Sequence, residues 1–261
     1  MKYATWILAG VVCLGAHPAF AQPPTSRFGI TDNSFLIEEA FNQESGIFQH
    51  IFVASRTRSG DWSGSFTQEW PVKTQRHQFS FTVPYATEGG LGARGDLGLN
   101  YRFQLLGGEA DRPAISPRLT VILPTSASRT LGREGVGWET NLPVSVSAGP
   151  IFVHLNAGAR AMRELDPVSG ARDWTHAAFG GGSLIVALTP MVNLMAETLV
   201  VSERGAGGRE TSTTFAPGAR IGWNVGDQQL VVGLAVPITR GAERDTAVLA
   251  YFSYELPFVK R

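Results

Sequence analysis

The stretch Ile151-Phe-Val-His-Leu-Asn-Ala-Gly-Ala-Arg160 decides the fold. Ile151, Val153, Leu155, Ala157 and Ala159 fall on one side of an extended chain. Phe152, His154, Asn156, Gly158 and Arg160 fall on the other. A strand turns successive side chains to opposite faces, so this period of two reads as a β-strand with one apolar and one polar face. Asp96–Leu105 behaves alike: Leu97, Leu99, Tyr101, Phe103 and Leu105 oppose Asp96, Gly98, Asn100, Arg102 and Gln104. In Phe215–Val225, Phe215, Ala219, Ile221, Trp223 and Val225 oppose Gly218, Arg220, Gly222 and Asn224.

Outward from these, the same rule finds about twelve segments: 47–57, 61–71, 76–86, 95–106, 113–124, 137–147, 150–162, 174–187, 191–202, 213–225, 229–238 and 246–258. Each is near the roughly 9–11 residues that a tilted strand needs to cross a bilayer. The connections alternate in length. Those at 72–75, 148–149, 188–190 and 226–228 are short; those at 87–94, 125–136, 163–173, 203–212 and 239–245 are longer and rich in Gly, Arg, Glu and Asp. Short turns on one side and long loops on the other are the habit of outer-membrane barrels. The expected fold is all-β: an antiparallel transmembrane β-barrel of about twelve strands, with both ends of the chain in the periplasm and the long loops outside. The short connection at 58–60 departs from the pattern.

Tryptophan gives an independent check. Trp62, Trp70, Trp138, Trp174 and Trp223 all take the apolar parity of their segments. Trp62, Trp138 and Trp174 fall at the outer ends with Tyr85 and Phe215, and Trp70 and Trp223 at the inner ends with Tyr101, Phe103, Phe252 and Tyr254. Two aromatic girdles are expected at two membrane interfaces. A secreted sandwich or lipocalin-like barrel also alternates, but it turns its apolar side chains inward and needs a polar outer face.

The chain's start reads as an export signal. Lys2 supplies the charge, Tyr3–Ala16 the apolar run and Ala19-Phe20-Ala21 the cleavage motif. The domain order is then a signal peptide at 1–21, an N-terminal segment at 22–46 and the barrel at 47–261. Lys2 is the leader's only charge, which leaves 21 basic against 22 acidic residues and no global attraction to nucleic acid. The single cysteine, Cys13, lies in the leader, so no disulfide staples the exported chain.

Parity places Arg102, Arg118, Arg160 and Arg220 in the lumen with Glu69, Asp96, Glu139, Glu197 and Glu255. Two roles are open for these charges: a network that fills and stiffens the interior, or a constriction whose transverse field screens solutes. Arg102, Arg118, Glu139, His154, Arg160, Glu197 and Arg220 are the candidate lining residues, with His154 expected as a solvated wall residue and the charges as wet. In the N-terminal segment, Phe35, Leu36, Ile37, Ala40 and Phe41 suit the apolar side of a short helix with Glu38 and Glu39 opposite. A plug, a helix at the periplasmic mouth and an extended lead-in are all open.

Ile30-Thr-Asp-Asn-Ser-Phe-Leu-Ile-Glu-Glu-Ala-Phe-Asn-Gln-Glu44, with Gly95–Phe103 and Leu188–Glu197, resembles the phenol-degradation meta-pathway transporter family of outer-membrane β-barrel proteins. The resemblance spans most of the exported chain. It implies an outer-membrane channel for hydrophobic or aromatic compounds and brings no site residues with it. The chain departs from many such barrels at its end: Tyr254, Leu256 and Phe258 alternate as the barrel-assembly machinery requires, but Val259-Lys260-Arg261 follow.

Other chemistry is sparse. Gly90-Leu-Gly-Ala-Arg-Gly95 matches a dinucleotide fingerprint, but an alternating strand follows it where a helix is required. No histidine pair has metal-ligand spacing, and no cofactor is expected. A phospholipase-like barrel would need Ser, His and a polar orienter converging at the outer edge, and no His-x-Ser-Asn-Gly arrangement occurs. The expected function is an outer-membrane channel or transporter for small solutes, with lipid outside, an unidentified solute inside and no enzymatic activity. The alternative is a non-transport barrel with a structural or phospholipase-like role.

Overall fold

A computed structural model of the chain describes residues 29–30, 32–88, 91–107, 113–126, 135–165, 172–205, 207–226, 228–242 and 244–258. The expected leader, residues 22–28 and the tail from Val259 to Arg261 lie outside them.

The chain forms a closed, twelve-stranded antiparallel β-barrel. Its strands are β1 (Ile47–Thr57), β2 (Trp62–Val72), β3 (Thr74–Glu88), β4 (Leu91–Arg94 and Leu97–Phe103), β5 (Ala114–Ile115 and Arg118–Leu123) and β6 (Gly137–Asn141 and Val144–Ala148). Then come β7 (Ile151–Leu165), β8 (Arg172–Thr189), β9 (Val192–Gly205), β10 (Gly208–Val225), β11 (Gln228–Ala235 and Ile238–Gly241) and β12 (Asp245–Pro257). Each strand pairs with its neighbours in the chain. β1 pairs with β12 from Ile47↔Pro257 to Thr57↔Ala247, which leaves no free edge.

Three strands are interrupted at proline: β5 at Pro117, β6 at Pro143 and β11 at Pro237. Proline has no N–H to give to a ladder, yet its carbonyl still accepts. Pro117 O takes the amide of Phe103, Pro143 O that of Ser116 and Pro237 O that of Ala247, so the wall stays continuous. At the end of the barrel that holds Ile47 and Pro257, the connections are tight. Lys73 sits between β2 and β3 with φ 61°, and Gly149 and Gly226 take φ 58° and 62°. Left-handed backbone there reverses the chain in one or two residues.

At the opposite end the expected loops are shorter than their composition suggests. β9 and β10 stay paired up to Gly205↔Gly208, and β7 and β8 up to Leu165↔Arg172. Residues 203–212, expected as a loop, are largely hairpin. Beyond the membrane both faces of a ladder are wet, so charged residues can occupy both without breaking the pairing. Polarity alone therefore reads as loop.

Burial is inverted relative to a soluble protein. Leu155, Leu234 and Val248 are more than half exposed, with Phe79, Leu99, Leu184 and Leu194 also facing out. Gln49, Glu69, Gln78, Asn100, Arg102, Asn156, Glu197 and Arg220 are buried. Apolar outside and polar inside is the arrangement of a barrel solvated by lipid. Exposed Trp62, Trp138, Trp174, Tyr85 and Phe215 ring the hairpin end, and Trp223 and Phe252 lie toward the turn end.

Residues 29–30 and 32–46 run inside this barrel. The described part of the segment forms bends, a turn at 45–46 and stretches without regular structure, not the helix suggested by its apolar spacing. The reason lies in its surroundings. Its amides find partners on the barrel wall and need none from a helical turn. Phe35 packs with Ile51, Ile185, Met195, Val231, Ala235, Leu249 and Tyr251 into an apolar cluster, flanked by Ile30, Leu36, Val53 and Phe152. The lumen is thus not uniformly polar. β1, β8, β9, β11 and β12 turn apolar side chains inward, and the inner segment covers them.

Candidate functional site

The lumen holds two adjoining features: the bound inner segment, and a charged wall that borders a cavity.

The inner segment is held mainly through its main chain. The Glu197 carboxylate on β9 accepts the amides of Phe35, Leu36 and Ile37, each at 3.1 Å. Arg220 on β10 donates to the carbonyls of Asp32 and Asn33 at 2.7 and 2.8 Å. Asn156 on β7 accepts the Glu38 amide at 2.9 Å and donates to the Glu38 carbonyl at 2.8 Å. Ser145 on β6 accepts the Ala40 amide at 2.7 Å. Gln104, just past β4, accepts the Asn42 amide at 3.2 Å and donates to the Ala40 carbonyl at 3.0 Å. Arg102 donates to the carbonyls of Glu39 and Phe41 at 3.2 and 3.1 Å.

Side chains of the segment add fewer contacts. Asp32 is buried and accepts from Gln49 Nε2 at 2.7 Å, Tyr251 Oη at 2.5 Å and Ser253 Oγ. It thereby pins the seam between β1 and β12. Ser34 Oγ donates to Ser183 Oγ at 2.9 Å. Glycine makes room for the apolar side chains. A Cβ at Gly233 would stand 2.4 Å from the Phe35 ring, one at Gly218 2.9 Å from it, and one at Gly181 2.6 Å from Ile37 Cδ1.

The charged wall lies on β2, β4 to β7 and β9. Arg102 and Arg118 face one another in register across β4 and β5. Like charges directly opposite are unfavourable; here carboxylates surround them. Arg118 lies 2.8 Å from Glu38 and 2.6 Å from Glu139. Arg102 lies 3.7 Å from Glu38 and 3.8 Å from Glu69. Arg160 reaches Glu203 at 3.2 Å and Glu139 at 4.0 Å. Glu38 thus ties the inner segment to the wall. Arg102 Nε, Arg118 Nε and Glu38 Oε2 are buried without a hydrogen-bond partner, so this network is the less completely satisfied side of the site.

On the hairpin side of the inner segment is a cavity of about 440 Å³. Its lining includes Asp96, Asn100, Arg118, Thr120, Glu139 and Arg160, with Ile122 and Met162 as apolar patches. All seven candidate lining residues turn inward, but they divide. Arg118, Glu139 and Arg160 border the cavity; Arg102, Glu197 and Arg220 grip the inner segment. His154 does neither. It is buried, with Nδ1 2.7 Å from Ser145 Oγ, and is not the solvated wall histidine expected. Glu197, expected as a wet charge, is fully buried by the segment that it holds.

Parity reasoning missed Asp32, Ser145, the glycine recesses and the amide side chains of Gln104 and Asn156. Asp32 precedes the first strand and has no parity to read; the inward parity of the others was readable. That they meet a returning stretch of main chain was not, because those contacts join residues more than 60 positions apart. The Ser145–His154 pair joins adjacent strands in register, inside the barrel and under the inner segment, not at an outer edge. Among the described residues no three of His, Asp, Glu or Cys are grouped to hold a metal ion.

Comparison with solved structures agrees with the architecture. The outer membrane channel from Pseudomonas putida F1 superposes with a TM-score of 0.60 at 14% identity, over 83% of this chain and 98% of that one. The β-domain of the Bordetella autotransporter BrkA gives 0.43 at 14% identity, over 83% and 100%. The monoaromatic hydrocarbon channel CymD gives 0.41 at 8% identity, over 84% and 90%. No family profile matches the chain, and no curated protein sequence matches it. At these identities the likeness is one of fold, and the fold is that of outer-membrane barrels.

Proposed function

We propose that the chain is an outer-membrane channel for small solutes, held closed in this conformation by residues 29–46 acting as a plug. The observation that carries this reading is how the lumen is filled. One half is an ion-lined cavity of about 440 Å³. The other is occupied by a single stretch of chain, held by hydrogen bonds and ion pairs that can be exchanged for water. A barrel built only to be stiff would be expected to fill its interior with side chains of its own strands.

In this reading the apolar outer wall faces lipid and the tight turns lie in the periplasm. Solute enters from the hairpin end and meets Arg160, Glu139 and Arg118 before the plug. Tyr254, Leu256 and Phe258 serve as an internal signal for barrel assembly. The resemblance of Ile30–Glu44 to the meta-pathway family supports a channel, with hydrophobic or aromatic compounds as one class of cargo. Ser145 and His154 are the observation that favours an enzyme. We read them as structural, because Ser145 Oγ already takes the Ala40 amide and neither residue reaches lipid.

A latch tests the plug. Cys13 is the chain's only cysteine and lies in the expected leader, so a new pair would be alone in the exported protein. Ser34→Cys with Ser183→Cys places two thiols where the hydroxyls stand 2.9 Å apart. In planar bilayers the reduced protein should show conductance steps and the oxidised protein none. Equal conductance in both states would refute plug control. Silence in both, with no solute uptake in liposomes, would refute the channel.

A further inference from the structure

We infer that the part of the lumen filled by residues 29–43 is a binding site for peptide main chain, taken up in a bent conformation like that of residues 35–37, and that linear oligopeptides are a class of solute it takes; this rests on the channel reading above. The wall's polar groups are arranged for main chain. Asn156 faces both the N–H and the C=O of one residue, as the edge of a β-sheet would. Gln104 accepts one amide and donates to the carbonyl two residues before it. Arg102 and Arg220 each span two carbonyls, and the Glu197 carboxylate collects three successive amides.

When the plug leaves, these buried donors and acceptors lose their partners together. Buried polar groups without partners penalise a solute that cannot satisfy them. An aliphatic or aromatic compound offers nothing to Asn156 or Gln104, whereas a peptide backbone carries both the donors and the acceptors that these groups take. The glycine recesses then read side chains. They admit an aromatic ring where Phe35 sits and a branched aliphatic chain where Ile37 sits. Gln49, Tyr251 and Ser253 take a carboxylate where Asp32 sits. The preferred pattern is an acidic residue followed by an aromatic three positions on and an aliphatic five positions on. On this reading the plug is the site's own tethered ligand.

The test uses the full chain with Asp32→Ala and Phe35→Ala, which loosen the plug and leave the wall intact; Phe35→Ala alone serves if the pair does not fold. The probe is a fluorescent synthetic peptide with the sequence of residues 29–43. Fluorescence anisotropy should show saturable binding, and the peptide should block the bilayer current. Adding Glu197→Gln, or methylating the peptide's amide nitrogen at Leu36, should weaken binding at least roughly tenfold, the cost of one charge-assisted hydrogen bond. No saturable binding, or binding indifferent to backbone methylation, would overturn the peptide site. The two readings fail separately: current without peptide binding removes the peptide site alone, and peptide binding by a barrel that never conducts removes the channel alone.

Discussion

Replacing Glu197 with alanine should free the inner segment without unfolding the barrel. The carboxylate is fully buried and holds the amides of Phe35, Leu36 and Ile37. Its removal strands three buried donors, each at a cost of about 1–3 kcal/mol. The volume left by the carboxylate is polar and large enough to admit a water, which offsets part of the loss. The lower end of the range applies, giving about 3 kcal/mol in total, or about a hundredfold in the balance between bound and released segment. The loss is local, because the ladders of β8, β9 and β10 do not use this side chain. Hydrogen exchange read by mass spectrometry should show amides 35–37 exchanging about a hundredfold faster, with the strand amides unchanged. Heat-modifiable migration on gels should stay as in the parent. Unchanged protection at 35–37 would mean that the carboxylate does not hold the segment. Loss of the folded band would mean that segment and barrel are one cooperative unit.

Three further outcomes are expected. Leu155→Arg puts a charge on a half-exposed outward position in mid-strand, which should cost about 2–4 kcal/mol in lipid and reduce the heat-modifiable folded fraction; normal folding would invert the inside–outside assignment. Gly233→Ala builds a Cβ 2.4 Å from the Phe35 ring and should cost about 1–3 kcal/mol, lowering exchange protection at Phe35, whereas Gly180→Ala meets nothing nearer than 3.6 Å and should leave it intact. Arg118→Ala removes the cation between Glu38 and Glu139; in the opened channel the reversal potential should move toward cation preference, at a folding cost of about 1–3 kcal/mol because the cavity lets water solvate the carboxylates left behind. A shift toward anions would place Arg118 outside the conducting path.

By itself the sequence determined the barrel. A strand's period is two and needs no knowledge of its partner, so the parity of Ile151–Arg160 sorted lipid-facing from inward side chains before any pairing was known. The same parity turned Trp62, Trp138 and Trp174 outward and all seven candidate lining residues inward, and the alternation of loop lengths set those tryptophans at one rim. What it could not decide was what those residues face. Polar side chains pointing into a tube look the same whether they meet water or main chain, and Glu197, His154 and Asn156 were legible only as a wet wall. The spacing of Phe35, Ile37, Ala40 and Phe41 likewise suited a helix, because it registers which residues seek apolar contact and not where the backbone finds its hydrogen bonds. Only the closed barrel brings Glu197, Asn156 and Gln104 around those amides and sets Gly218 and Gly233 beside Phe35. The hydrogen bonds among these contacts join residues as far as 162 positions apart, and each exists only once the other strands have fixed its geometry.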